Sequence, residues 1–196
     1  MRVAIIGHDK TLPGAGLGSA IDAHDYVVKM LNCGWHNPKD YGEKYDFAIA
    51  TKGSFALEAV KYPLCKAWVY EKHGRENQYL NLKCRDVTFL IRRYIIESLK
   101  EIAGHVVGAG MSRGCAAILT AIEMLEPDQI TLFGMGQLTT GTRQLDRHPE
   151  IYRTYLTDEQ KSILPVEQDH NWQAEHQLIY QVAGLKKCEL RTNTNN

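Results

Sequence analysis

The strongest constraint on this chain is an alternation of short, β-branched apolar runs with helix-patterned stretches. "RVAIIG" (Arg2 to Gly7) opens the series as a buried strand, marked by its β-branched content and its glycine stop. "DYVVKML" (Asp25 to Leu31), "DFAIA" (Asp46 to Ala50), "AWVYE" (Ala67 to Glu71) and "DVTFLI" (Asp86 to Ile91) follow, then "QITLFGMG" (Gln129 to Gly136) and a weaker "CELRT" (Cys188 to Thr192). Between them, "RRYIIESLKEIAG", "SRGCAAILTAIEMLEP" and "NWQAEHQLIYQVAG" carry apolar residues at helical spacing. Gly104 and Gly184 read as C-caps, Ser112 as an N-cap and Pro127 as a stop. Strand–helix alternation selects a mostly parallel sheet with helices on both faces. The expected fold is α/β, a single Rossmann-like domain over residues 1–196. The polar, Thr- and Arg-rich stretch 137–168 breaks the alternation and reads as an active-site lid or binding loop.

Charge and cysteine content narrow the class. Lys plus Arg and Asp plus Glu both number 23, so no net charge favours a nucleic acid or an anionic membrane as partner. No apolar run approaches the roughly 20 residues that cross a bilayer, and Met1 leads straight into the first strand without a leader pattern. Cys33, Cys65, Cys84, Cys115 and Cys188 are odd in number and lack a C-x-x-C spacing, which points to reduced thiols and a cytoplasmic setting.

The first loop is glycine-dense, but it is not a dinucleotide fingerprint. That pattern places its first glycine at the strand end and opens a helix within about six residues. Here the strand ends at Gly7, and Gly14, Gly16 and Gly18 begin seven residues later. The second strand ends in "KMLNC" with no acidic residue for a ribose, and no G-K-S/T marks a P-loop. Two readings stay open: a flexible strand connection, or a loop whose backbone approaches a nucleotide at the carboxyl edge of a parallel sheet.

The stretch "VAIIGHDKTLPGAGLGSAIDAHDYVVKMLN" resembles the large sialyl motif of the eukaryotic-type sialyltransferases, glycosyltransferase family 29. Gly7, Leu12, Gly18, Ile21, Asp22, His24, Asp25, Val27 and Met30 fall in register with that motif without a gap. "GMSRGCAAILTAIEMLEPDQITLFGMG" (Gly110 to Gly136) resembles the small motif, and "HNWQAE" (His170 to Glu175) the very short one. Several positions depart from the family pattern: His8 and Asp9 replace Asn and Ser, Lys29 replaces Arg, Leu31 stands for Asn with Asn32 one place on, and Arg113 replaces Thr. The family's cysteine pair joining the large and small motifs is absent, in keeping with a cytoplasmic protein.

The resemblance implies a GT-A-related sheet and an inverting, metal-independent glycosyltransferase. The donor would be a nucleotide sugar, CMP-activated sialic acid or a relative, used as co-substrate with no further cofactor. The acceptor would be a hydroxyl on a glycan or another molecule. His170 is the candidate general base: a neutral imidazole at a helix start can take the acceptor proton near pH 7. His148 falls near a family histidine that contacts the leaving phosphate, within a cluster of Arg143, Arg147, Tyr152 and Arg153. Gly7, His8, Asp9, Asn32, Ser112, Arg113 and Gly114 are the candidate donor-binding residues, the last three at a helix start suited to an anion. Glu175 lies about 500° around a helix from His170, on a different face, and reads either as a partner of backbone amides or of a basic residue, or as a solvated glutamate. His24 reads as a support of the fold. There is no metal site in this reading: no D-x-D follows a strand and the histidines are scattered.

At 196 residues the chain reads as a minimal version of such an enzyme, a size expected of a bacterial or viral enzyme acting in the cytoplasm. Two alternatives remain: transfer from another nucleotide sugar to hydroxymethylated bases of viral DNA, which zero net charge disfavours, and a non-catalytic nucleotide-binding module.

Overall fold

The computed structural model describes residues 1–9, 11–30, 37–51, 66–71, 86–91, 112–136 and 172–193. Its elements in chain order are β1 (Arg2–Ile6), α1 (Gly18–Asp22), β2 (Tyr26–Met30), α2 (Pro38–Tyr41), β3 (Phe47–Thr51), β4 (Lys66–Glu71), β5 (Asp86–Ile91), α3 (Arg113–Leu125), β6 (Gln129–Phe133), α4 (Trp172–Leu185) and β7 (Glu189–Thr192). The strands form one seven-stranded sheet in the order β5-β4-β3-β2-β1-β6-β7, and every pairing is parallel. Each strand expected from the apolar runs is present. The expected helix 92–104 lies outside the described residues.

β1 is the centre of the sheet. Val3, Ala4, Ile5 and Ile6 are all fully buried, and successive strand residues face opposite sides, so both faces of the sheet are covered there. The same continuous burial runs through Val27 to Met30 and Ile130 to Phe133. From β1 the chain winds outward through β2 to β5, then returns to place β6 on the other side of β1. Right-handed crossovers stepping in opposite directions put their helices on opposite faces. α1 and α2 accordingly pack together, whereas α3 packs on α4 and on β1 to β3.

Aspartates pin the strand starts. Asp25 Oδ2 accepts the Arg2 amide at 2.7 Å, and Asp46 Oδ2 accepts the Val27 amide at 2.8 Å. The Met1 amino group pairs with Asp128 just ahead of β6. His24 works at the same end of the sheet. Its Nδ1 lies 3.0 Å from the Ala20 carbonyl, to which it can only donate, and its Nε2 is hydrogen-bonded to Thr131 Oγ1 at 2.9 Å. Its ring also meets Phe133 edge-on at 5.7 Å. This is the fold-supporting role expected of it.

Gly184 is not the C-cap that its position suggests. α4 continues to Leu185, and the left-handed residue that ends the turn is Lys187, with φ 56°. The Cys188 amide reaches back to the Ala183 carbonyl at 2.9 Å, closing the helix before β7.

Candidate functional site

The switch between the two winding directions lies between β1 and β6, and a parallel α/β sheet opens its crevice at the carboxyl edge of that point. The residues that follow these two strands are tightly joined. The Gly7 amide donates to the Phe133 carbonyl at 2.8 Å and the Asp9 amide to the Gly134 carbonyl at 3.1 Å. A Cβ on Gly7 would stand 2.3 Å from the Gly134 carbonyl oxygen and 2.4 Å from Met135 Sδ, so only glycine allows this approach. Gly134 adopts φ 62° and would meet Leu12 if it carried a side chain. Asp9 ties the loops: Oδ1 accepts the Thr11 amide at 3.0 Å and Oδ2 the Gly136 amide at 3.2 Å. Gly7 is buried, and His8 and Asp9 are partly buried at this edge.

The glycine-rich loop beyond is filled from within the chain. Gly14 and Gly16 have φ of 82° and 67°, and their amides converge on one carboxylate, that of Asp40, at 2.7 and 2.8 Å. Asn37 Nδ2 adds a third donor at 2.7 Å. These contacts, the Gly14 amide first, hold the Asp40 carboxyl below its ordinary range. A reciprocal clamp lies beside it: Asp22 accepts the amides of Glu43 and Lys44, both at 2.9 Å. Gly18 lies so close to the chain at Pro38 that a Cβ would stand 2.0 Å from that carbonyl oxygen. Lys29, buried although charged, donates to the Gly42 carbonyl at 2.7 Å and lies over the Tyr45 ring. The glycine-rich backbone, one of the two sequence readings of which is a nucleotide-approaching loop, is therefore organised around Asp40, a residue at least 24 positions away in sequence from either glycine.

The second part of the edge is a helix start. α3 and α4 each lead by a short turn into the base of a strand, β6 and β7, so their N-termini point to the carboxyl edge. Ser112 is the N-cap of α3, with its Oγ accepting the Cys115 amide at 3.1 Å. The Ser112 amide donates to Glu175 Oε1 at 2.7 Å, and its hydroxyl donates to Oε2 at 2.5 Å. Glu175, in the first turn of α4, is fully buried. The solvated reading of this glutamate is overturned: it is a partner of a backbone amide, and its carboxylate lies at the positive ends of two helices. Burial, and then the Glu175 charge, push the Cys115 thiol well above its ordinary range. The α3 start has two amides left, those of Arg113 and Gly114, which nothing among the described residues accepts.

Thus Gly7, His8 and Asp9 lie together after β1, and Ser112, Arg113 and Gly114 lie together at the start of α3. His170, His148 and Asn32 lie outside the described residues, as does the expected lid at 137–168. Sequence reasoning missed Asp40 and the Ser112–Glu175 pairing. The Gly-x-Gly spacing signals a turn needing left-handed backbone, but nothing local to it names the anion. Among the described residues, no group of His, Cys, Asp and Glu has the arrangement of a metal site, and no helix is long and apolar enough to cross a membrane.

A wholly parallel, doubly wound sheet whose loops converge at the β1/β6 switch defines an open α/β fold with its candidate site at the carboxyl edge. Among solved structures, the chain is similar to a mammalian sialyltransferase at 17% identity and a TM-score of 0.56, covering 96% of this chain and 68% of that one. A mammalian sialyltransferase in complex with Gal-beta-1-3GalNAc-ortho-nitrophenol is similar at 16% identity and a TM-score of 0.54, with the same coverage. The chain therefore has the sialyltransferase type of fold. No model of a protein family matches it, and no curated protein does.

Proposed function

We propose that this chain is an inverting, metal-independent glycosyltransferase that moves a sugar from a nucleotide donor, a CMP-linked sialic acid or a relative, to an acceptor hydroxyl. The observation that carries this reading is the meeting of two motif pieces at the sheet's carboxyl edge. Glu175, from the stretch that resembles the very short sialyl motif, bonds Ser112, from the stretch that resembles the small one, across 63 residues of chain. The sialyltransferase type of fold supports the same conclusion.

In this reading the amides of Arg113 and Gly114, which nothing among the described residues accepts, receive an acidic group of the donor together with the Arg113 guanidinium. Gly7 and His8 line the nucleotide side of the edge, with Asn32, while Asp9 keeps the loop in shape. His170, two residues before Trp172 in the sequence, takes the proton of the acceptor hydroxyl as that oxygen attacks the anomeric carbon. His148 and the arginines around it neutralise the departing phosphate.

Two measurements test the proposal. A thermal-shift panel of CMP, CDP, UMP, UDP, GDP and NAD, with and without EDTA, reads the donor class. A ligand at a hundred times its dissociation constant adds about 2.7 kcal/mol. CMP stabilisation that survives EDTA is the expected result; stabilisation by UDP or GDP alone discards the CMP donor, and silence across the panel refutes the nucleotide-sugar reading. His170→Ala should abolish transfer while leaving nucleotide affinity nearly unchanged, and wild-type transfer by that variant would remove His170 as the base.

A further inference from the structure

Glu175 is the residue whose place in the sequence suggested least and whose surroundings in the fold are most specific. Its carboxylate is fully buried, belongs to the first turn of α4 and takes both donors of the α3 N-cap. Ser112 has one hydroxyl proton, which goes to Glu175, while its oxygen accepts the Cys115 amide. A hydroxyl so committed has no proton to donate to an anionic ligand. The first intrahelical bond, from the Ala116 amide to the Ser112 carbonyl at 3.0 Å, completes the set. The N-cap backbone is thereby held extended, at φ −67° and ψ 153°, and only the Arg113 and Gly114 amides stay open among the described residues.

We propose that Glu175 is a positioning residue for transfer: through Ser112 it sets the direction of the Arg113 and Gly114 amides at the start of α3. This rests on the glycosyltransferase reading, in which those amides face the donor. A carboxylate suits the task better than a neutral side chain. It accepts two bonds at once, and the amino ends of α3 and α4 both stabilise its charge. An amide in the same place can accept only one of the two. Glu175→Gln would force Ser112 to turn its proton away from position 175 and toward the open site.

The test compares Glu175→Gln and Ser112→Ala with the wild-type chain in three readouts: CMP affinity, single-turnover transfer rate and urea unfolding. For a folded Glu175→Gln, CMP affinity should stay within about threefold, and the transfer rate should fall about a hundredfold or more. Ser112→Ala should fall about tenfold, and the double variant should be no slower than Glu175→Gln alone, as expected of two residues acting as one unit. A merely structural glutamate would lower the urea midpoint and leave the rate per folded molecule unchanged. A folded Glu175→Gln that transfers within threefold of wild type overturns the proposal. If that variant does not fold, Ser112→Ala decides: transfer at the wild-type rate overturns it.

Amide exchange separates this failure from failure of the function. The Ser112 amide should exchange slowly in the wild-type chain and quickly in Glu175→Ala. A wild-type chain that transfers nothing overturns the reaction and the positioning role together. Fast Ser112 exchange in an active wild-type chain overturns the positioning role alone.

Discussion

Replacing Asp40 by alanine should destabilise the chain by about 3 kcal/mol at pH 7. Three donors converge on that carboxylate, two of them backbone amides of left-handed glycines, at 2.7 to 2.8 Å. A hydrogen bond to a charged group contributes about 1.5–3 kcal/mol when its partners are buried. Gly14 and Gly16 are exposed on their outer side, so water can reach their amides once the carboxylate is gone. That lowers the figure to about 1 kcal/mol for each of the three bonds. For a chain of this length the loss corresponds to a melting temperature lower by about 6–12 °C. The pH dependence has a definite sign. The carboxyl is held below its ordinary range by the Gly14 and Gly16 amides. Its stabilisation is thus complete above the unfolded value of about 3.9, and is lost as the pH falls from there through the folded value. Urea unfolding of wild type and Asp40→Ala should show a constant gap from pH 8 to about pH 5 and a shrinking one below about pH 4. A gap under about 0.5 kcal/mol at pH 7, the size of an ordinary surface substitution, would refute the loop account. So would a gap that persists undiminished in acid.

Two further outcomes follow from the same geometry. Gly7→Ala puts a Cβ against the Gly134 carbonyl oxygen and Met135 Sδ, and should cost about 1–3 kcal/mol by urea unfolding, as overpacking does. Wild-type stability in that variant would show that β1 and β6 do not approach so closely. Cys115 and Cys188 are both buried, with the Cys115 thiol pushed well up and that of Cys188 up to about 11, chiefly by burial. Neither should react with iodoacetamide at pH 8 until urea unfolds the chain, and peptide mass spectrometry that finds either modified under native conditions would contradict their placement.

Much of the fold could be read directly from the chain. "RVAII", "YVVKM" and "QITLF" announce strands because β-branched apolar residues in continuous runs suit a strand buried on both faces. Ser112 announces a helix start, since its hydroxyl reaches an amide three residues on. The stretches that resemble the sialyl motifs were legible too, because each is contiguous. Gly184 misled for a local reason: a glycine near a helix end suggests a cap, but the packing of Leu178, Ile179, Val182 and Ala183 carries α4 past it.

What the sequence by itself determined is the seven strands, the helices α3 and α4, and the parallel arrangement, because these follow from contacts between near neighbours and from the need for crossovers. What only the tertiary structure decided is the content of the edge. It set β6 beside β1, filled the Gly14–Gly16 loop with Asp40, and buried Glu175 beneath Ser112. A carboxylate acts on whichever amides the fold brings within about 3 Å of it, and at separations of 24 to 63 residues no local pattern encodes that meeting.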